Sequence, residues 1–461
     1  MKRIFQQTSR RFAVLAASDF LWLLGFFYAG ATVIFDQFSE RQLLTTSVLG
    51  ATFSLVVFFS LGLYGRETIY SEQQSLYRLT AAGLIDFTLF YFAIIVGFKL
   101  DPGGRAYLSL LVAVMAGHAA VFVTRLFFVR TFDLAFMRRS LLIVGCGKRA
   151  ERFRQFVVGK LRQEVNVLGH VRATANEVVE GNPILIGDEA KSGADLDRIV
   201  EDIGVDEIIV AVENQRGMPI DALLRCKTAG IRVRDDVAFL EEEVGYIDTT
   251  AVTAGWLVFR QGFSRTDLFL LAKRVFDIVV SSALLLFTLP ITAVAAALVK
   301  LESRGPLFYS QERVGLDGNV FTVVKFRSMT VDAEKDGPQW AAKKDARITR
   351  IGNILRKTRI DEIPQVFNVL RGDMSFVGPR PERPMFVAEL REQLRFYDER
   401  HRLKPGITGW AQINYPYGAS IDDAREKLSY DLYYVKNASI FLDVLILLQT
   451  VRVIIFPSGA R

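Results

Sequence analysis

Four apolar runs constrain this chain more than any other feature. They cover about residues 12–35, 43–64, 79–100 and 107–129, and each is close to the ~20 residues that an α-helix needs to cross hydrocarbon. The spacing therefore predicts four transmembrane helices. The first run is too long, and too poor in small residues at its end, to be a cleaved signal peptide. Lys2, Arg3, Arg10 and Arg11 precede the block and Arg125, Arg130, Arg138 and Arg139 close it, so the positive-inside rule puts both ends in the cytoplasm. Asp19 and Asp86 fall within the runs. An intramembrane acid is a functional candidate by default, but near a helix end packing or snorkelling is the plainer account. With 51% hydrophobic residues and a mean hydropathy of +0.24, the chain is too apolar for an ordinary soluble enzyme.

The net charge of +7 suits anionic lipid and phosphate partners, although basic cytoplasmic loops give a membrane protein the same sign whatever its substrate. Two cysteines (Cys146, Cys226) and three histidines (His118, His170, His401) are scattered, which argues against a zinc site or a disulfide framework. A hard metal bound through oxygen is the better expectation.

After Arg139 the pattern becomes soluble α/β. SLLIVGCGKRAERF reads as a strand, a glycine turn and a helix start, and Gly145, Gly147 and Ala150 fit the G-x-G-x-x-G/A spacing that lets a backbone approach a pyrophosphate. Further strands are predicted at 165–171, 184–186, 207–212 and 231–233, giving a Rossmann-like domain. The second strand ends at His170, Val171 and Arg172 with no acid placed to take a ribose hydroxyl. A structural or regulatory module that kept its glycine turn thus competes with a nucleotide site at Gly145 and Gly147.

Residues 251–265 read as a linker. Lys273 and Arg274 then introduce a long apolar stretch that ends at Lys300 and Arg304. Basic residues at both ends, with Pro290 near the middle, favour a re-entrant hairpin over a proline-kinked crossing. Gly315 and Gly318 bound a hairpin turn before a strand at 320–326, on which Lys325 and Arg327 share a direction and could meet a phosphate or lie solvated at an edge. Residues 439–456 are strongly apolar but carry Asp443, Gln449 and Arg452, so a core or the membrane surface suits them better than a bilayer crossing.

The chemistry converges on residues 348–382, around the adjacent carboxylates Asp361 and Glu362. Apolar residues recur at helical spacing on both sides of the pair, and Pro364 is acceptable only in a first turn, so two helices are predicted to meet there with Asp361 as N-cap. An isolated Asp-Glu pair is usually a solvated helix start. Here Arg356, Lys357 and Arg359 surround it, and a helix tip stabilises both an ionised carboxylate and a phosphate. Such an Asp can attack phosphorus, and a second carboxylate can hold a Mg2+ that screens phosphate charge. In GPRPE at 378–382 two prolines stiffen the backbone around Arg380, which suits bidentate phosphate recognition or, more plainly, a rigid surface turn. The segment KPGITGWAQINYPYG at 404–418 could flank a base.

Taken together KFRSM, the LRK-x-x-x-DE-x-PQ run, GDMSFVGPRPE and KPGITGWAQ resemble the bacterial sugar transferase family, the polyprenyl-phosphate hexose-1-phosphate transferases, from Lys273 to the C-terminus. The four-helix block and Rossmann-like domain are similar to the large members, and the C-terminal sequence to the exopolysaccharide and exosortase-associated subgroup. The resemblance implies a membrane α/β protein organised as a four-helix transmembrane block (1–135), a Rossmann-like domain (136–250), a linker (251–272) and a mainly helical catalytic domain (273–461) with a re-entrant helix at about 275–301. It implies transfer of a sugar 1-phosphate from a UDP-sugar to undecaprenyl phosphate at the cytoplasmic face of the bacterial inner membrane, releasing UMP and starting exopolysaccharide synthesis. By motif position Asp361 would be the nucleophile that becomes a phosphosugar-aspartate, Glu362 with Asp361 would hold Mg2+, and Arg356 and Arg380 would face the phosphates. Membrane lipids and downstream glycosyltransferases are the remaining expected partners, a homodimer is left open, and no nucleic acid is expected. One departure stands out: many members follow WAQ with Asn-Gly-Arg-Asn, whereas this chain has Asn414, Tyr415, Pro416 and Tyr417.

The strongest rival is a membrane-anchored NAD-dependent sugar-nucleotide dehydratase or epimerase. It would need a Tyr-x-x-x-Lys pair, and no tyrosine here is followed four residues later by lysine. A non-catalytic scaffold for polysaccharide assembly would leave the carboxylate pair idle.

Overall fold

Long apolar helices open the chain: α1 (Arg10–Ile34), α2 (Glu40–Ser60), α3 (Glu72–Phe98) and α4 (Gly104–Thr131). The computed structural model describes residues 10–35, 37–64, 68, 72–98, 104–131, 138–162, 164–174, 177–181, 183–186, 196–214, 216–263, 265–330, 333, 347–416, 418 and 420–455. Lys2, Arg3, Tyr417 and the domain boundary expected near residue 135 lie outside them. Each of the four helices contains a stretch of 20 to 23 residues long and apolar enough to cross a membrane, with most of it unburied within the protein. The acids inside the block are packed. Asp19 accepts from Arg125 Nη2 (2.8 Å) and Tyr64 Oη (2.9 Å), while Asp86 sits 3.3 Å from His118 Nε2. Both aspartates are fully buried, so helix packing rather than snorkelling accounts for them.

The α/β domain follows as β1 (Arg139–Val144), α5 (Lys148–Lys160), β2 (Val165–Val171), α6 (Leu196–Ile203), β3 (Glu207–Val210), α7 (Ile220–Thr228), β4 (Arg232–Asp235) and α8 (Asp236–Val244). Its parallel sheet has the order β2-β1-β3-β4, and a parallel bridge from His170 to Leu185 extends it at the β2 edge. That is the doubly wound order 3-2-1-4-5, with its switch point where β1 meets the glycine turn. Apolar β1 residues 141–144 are fully buried, as a strand covered on both faces requires.

The chain forms two compact units, one built almost wholly from the sequence up to Thr253 and the other from Ala254 onward. The second begins with α9 (Ala254–Phe259), a short helix inside the segment expected to be a plain linker, and continues into α10 (Asp267–Glu302). It then runs through β5 (Phe308–Val314), β6 (Val320–Phe326), α11 (Arg350–Lys357), a 3₁₀ turn (Ile360–Gln365), α12 (Val366–Arg371), β7 (Ser375–Val377), α13 (Pro384–Gln393), a 3₁₀ segment (Tyr397–Arg402), β8 (Gly406–Thr408), α14 (Trp410–Asn414), α15 (Ile421–Asn437) and α16 (Ile440–Ile455). β5 and β6 form an antiparallel hairpin; β7 and β8 pair in parallel. α16 buries Leu442, Asp443 and Ile446 in this unit and is a core helix.

α10 is one 36-residue helix with Pro290 inside it. Near its start, Arg274 donates to the carbonyls of Val369 and Leu370, Asp277 accepts from Ser375 Oγ and Phe376 N, and Lys273 binds Asp443 Oδ2 at 2.7 Å. Near its end, Glu302 accepts from Ile351 N, and Arg327 donates to the carbonyls of Ser303 and Arg304. Ala295 and Val299 pack with Phe326 and Leu355. Apolar side chains are nonetheless exposed along the whole helix, from Leu268 and Leu271 through Leu286, Phe287, Leu289, Ile291 and Val294 to Leu301.

Candidate active site

Asp361 and Glu362 sit where two apolar clusters meet. Leu355 and Ile360 belong to the cluster with Ala295, Val299 and Phe326, while Val369 packs with Val323 and Met374. The segment between them is fixed at both ends. α11 ends at Lys357, and Arg359 then takes the left-handed conformation (φ +60°), which costs a non-glycine residue about 1 kcal/mol. This corner turns the next residues into the 3₁₀ turn that precedes α12. Asp361 is therefore the second residue of that turn and not an N-cap; Arg359 occupies the cap position, and Pro364 lies in the turn rather than in the first turn of α12. Asn368 ties α12 to β6 by donating to Thr322 O (2.7 Å) and accepting from Val324 N (3.1 Å).

Lys325, from β6, donates to Glu362 Oε1 at 2.9 Å, and Arg380 Nη2 donates to the same oxygen at 2.7 Å. Arg359 Nη1 lies 3.6 Å from Glu362 Oε2. Asp361 Oδ1 is a buried oxygen with no hydrogen-bond partner among the described residues. The two neighbours are therefore differently placed. Burial pushes the Asp361 carboxyl up to about 6, and the adjacent Glu362 charge adds to the rise against the pull of Lys325, Arg359 and Arg356. Burial acts on Glu362 as well, but Arg380, Lys325 and Arg359 outweigh it and hold that carboxyl well below its ordinary range. Near neutral pH, Glu362 is the fixed charge and Asp361 the group that titrates.

The pair lines a cavity of about 510 Å³. Among the described residues, ten basic and four acidic side chains line it, a balance suited to a polyanion such as a diphosphate. Of the residues singled out in the sequence, Lys325, Arg356, Asp361, Glu362 and Arg380 are brought together here. Arg327 also reaches the wall, but it lies just past the end of β6, and its terminal nitrogens are engaged by the carbonyls of Ser303 and Arg304. It ties the end of α10 to the hairpin. The GPRPE loop is supported by the β7–β8 pair, where a side chain at Gly378 would run into Lys404 O at 2.3 Å. Arg313, Arg383, Arg400 and Lys427 also line the cavity, and no local motif around them pointed there.

Among the described residues no group of three or more His, Cys, Asp or Glu side chains could hold a metal, so a divalent ion here would rest on the two carboxylates. The unpartnered Asp361 Oδ1 and the loosely paired Glu362 Oε2 supply hard oxygens, and Mg2+ is commonly held by one or two carboxylates with substrate phosphates completing its shell.

Gly145 and Gly147 lie elsewhere, in the α/β domain. Gly145 has φ +128°, and a side chain there would strike Ala211 O at 2.4 Å, so backbone conformation and close packing both require glycine at this turn. Glu177 accepts from Cys146 N and from Ala173 N, both at 2.8 Å, which places a carboxylate on the turn's own amide.

A membrane-embedded chain with a basic cavity around a buried Asp-Glu pair fits a membrane transferase of phosphorylated sugars. Residues 268–457 match the family model described as bacterial sugar transferase. The chain is 47% identical over 189 residues to a UDP-N-acetylgalactosamine-undecaprenyl-phosphate N-acetylgalactosaminephosphotransferase of Aeromonas hydrophila, covering 41% of this chain and 45% of that one. It is 43% identical over 221 residues to an undecaprenyl-phosphate glucose phosphotransferase of Komagataeibacter xylinus (45% and 42%) and 38% identical over 194 residues to a UDP-glucose:undecaprenyl-phosphate glucose-1-phosphate transferase of Caulobacter vibrioides (41% and 72%). The matches span less than half the length of the first two relatives. The chain belongs to the bacterial sugar transferase family, and every residue of the cavity lies in the matched span.

Proposed function

We propose that the chain transfers a sugar 1-phosphate from a UDP-sugar to undecaprenyl phosphate, giving undecaprenyl-diphosphate-sugar and UMP. The observation that carries the reading is the split between the neighbouring carboxyls, one fixed as an anion by Lys325 and Arg380, the other buried, titratable and unpartnered at Oδ1. In its ionised form Asp361 attacks the phosphorus that bears the sugar. A phosphorus–oxygen bond forms to Asp361, the bond to the bridging oxygen breaks, and UMP leaves. An oxygen of undecaprenyl phosphate then attacks the same phosphorus and releases Asp361 unchanged. Arg380, Arg356 and Lys325 offset the charge of the diphosphate. Mg2+ bound by Asp361 and Glu362 would supply further charge neutralisation at the phosphates.

Placement at the membrane follows from α10. Its 36 residues are long and apolar enough to cross a membrane, yet Arg274 and Asp277 near its start and Glu302 at its end are bonded to the same catalytic domain. We therefore read α10 as re-entrant, with both ends and the catalytic domain at the cytoplasmic face of the bacterial inner membrane. The lipid-linked product would pass to downstream glycosyltransferases and so begin an exopolysaccharide.

The test is release of UMP by the purified protein from UDP-sugars with Mg2+ and polyprenyl phosphate. Asp361→Asn should abolish it in a protein that still folds, and turnover persisting in that variant refutes the nucleophile. Hydride exchange with NAD would favour the dehydratase.

A further inference from the structure

The loop that carries Arg380 is held by four carbonyls in succession. Gly406 N donates to Pro379 O (2.9 Å), Arg400 Nη2 to Arg380 O (2.9 Å), Arg313 Nη1 to Pro381 O (3.0 Å) and Val314 N to Glu382 O (2.9 Å). Arg380 itself has little conformational freedom. Pro379 and Pro381 fix their own φ angles, and a residue that precedes proline is confined to extended backbone. The oxygen of the peptide that joins Arg380 to Pro381 is the atom Arg400 grips.

Arg400 is buried at 5% exposure. Its Nε and Nη2 donate to Asp431 Oδ2 (3.1 and 2.8 Å), and its Nη1 donates to Tyr397 Oη (3.0 Å). With the bond to Arg380 O, four of its five N–H groups are used within the protein, so it has little left to offer a ligand. We propose that Arg400, held by Asp431, is a positioning residue that fixes the peptide of Arg380 and thereby sets the guanidinium that meets Glu362 at 2.7 Å. Arg400 acts on the reaction only through Arg380. The proposal rests on Arg380 belonging to the donor site described above.

Arg400→Ala would leave the buried Asp431 unpaired and could simply unfold the domain. Arg400→Lys keeps the charge against Asp431 but lacks the planar fork that reaches two acceptors at once. The decisive measurement is a double-mutant cycle with Arg380→Ala, read as kcat for UMP release in proteins shown to be folded by thermal unfolding. Arg400→Lys should lower kcat about 10²-fold in the parent, the cost of misplacing a group by about 1 Å. In the Arg380→Ala background the same substitution should change kcat by less than about threefold, because its target is already gone. Equal losses in both backgrounds, or full turnover in folded Arg400→Lys, overturn the proposal. Should Arg400→Lys not fold, Asp431→Asn carries the same cycle with a smaller expected loss, about tenfold. UDP affinity, measured in the same four proteins, reports the same coupling without turnover. A parent protein that releases no UMP therefore refutes the reaction, and additive effects on affinity refute the clamp.

Discussion

Asp361→Asn should make the catalytic domain more stable while removing its activity, and the gain should depend on pH with a definite sign. Because the folded carboxyl is raised from 3.8 to about 6, the fold favours its protonated form, and stability is lost as pH rises through that interval. At about 1.36 kcal/mol per pH unit of separation, the ionised side chain costs the fold about 3 kcal/mol at pH 8 and about 0.5 kcal/mol at pH 4. Asparagine is close in shape and carries no charge, so it avoids that cost at every pH. Thermal unfolding of parent and variant in detergent, with EDTA to strip divalent ions, should show the variant melting higher at pH 8 and the two curves converging near pH 4. Adding Mg2+ should narrow the difference at pH 8, because the ion offsets the buried charge. A variant that melts lower than the parent at pH 8, or a difference independent of pH, refutes the assignment of Asp361 as a buried carboxylate held ready at the expense of stability.

Four more outcomes follow from the same geometry. The pH profile of kcat/KM should have an acidic limb, falling about tenfold per unit once Asp361 protonates, that moves to lower pH as Mg2+ is raised, and a profile with no acidic limb, or one indifferent to Mg2+, would contradict this. Single cysteines at Gln261 and Arg304, flanking α10, should both label with a membrane-impermeant reagent only from the cytoplasmic side, whereas periplasmic labelling at residue 304 would mean a crossing helix. Glu177→Ala should lower the melting temperature of the α/β domain, since two backbone amides lose a bond to a charged acceptor at about 1.5–3 kcal/mol each. The parent should bind no NAD in a titration calorimeter, because the glycine turn's amide is already taken.

Where local chemistry decided the structure, the sequence was readable. β2 and β6 fall on the predicted residues, since alternating or β-branched runs bounded by turn residues have few other solutions. The cavity residues Lys325, Arg356, Asp361, Glu362 and Arg380 were visible because their motifs sit on the segments that line it. What escaped was decided by single backbone conformations or by contacts distant in sequence. The N-cap reading of Asp361 failed because periodicity does not register one left-handed residue, and Arg359 absorbs the corner that apolar spacing assigned to a helix start. Arg327 follows Lys325 by two residues, yet the strand ends at Phe326 and the guanidinium turns to the carbonyls at the end of α10. The Arg400–Asp431 pair spans 31 residues and two elements, and no motif links its two members. Glu177 reaches the glycine turn from 31 residues beyond Cys146, a distance at which a carboxylate cannot be foreseen as the turn's own anion.

The way α10 is fastened has a consequence for the lipid substrate. A helix that runs from one face of a bilayer to the other must tilt or stretch its surroundings whenever the hydrocarbon thickens, and whatever is attached to it moves too. Here both ends are bonded to the same small domain, so on the proposed re-entrant placement the immersion depth of the helix would be set by protein geometry rather than by the opposite leaflet. The height of Asp361 above the headgroups would then be a property of the polypeptide, and the phosphate of the proposed long-chain acceptor would meet it at a constant level in membranes of different thickness.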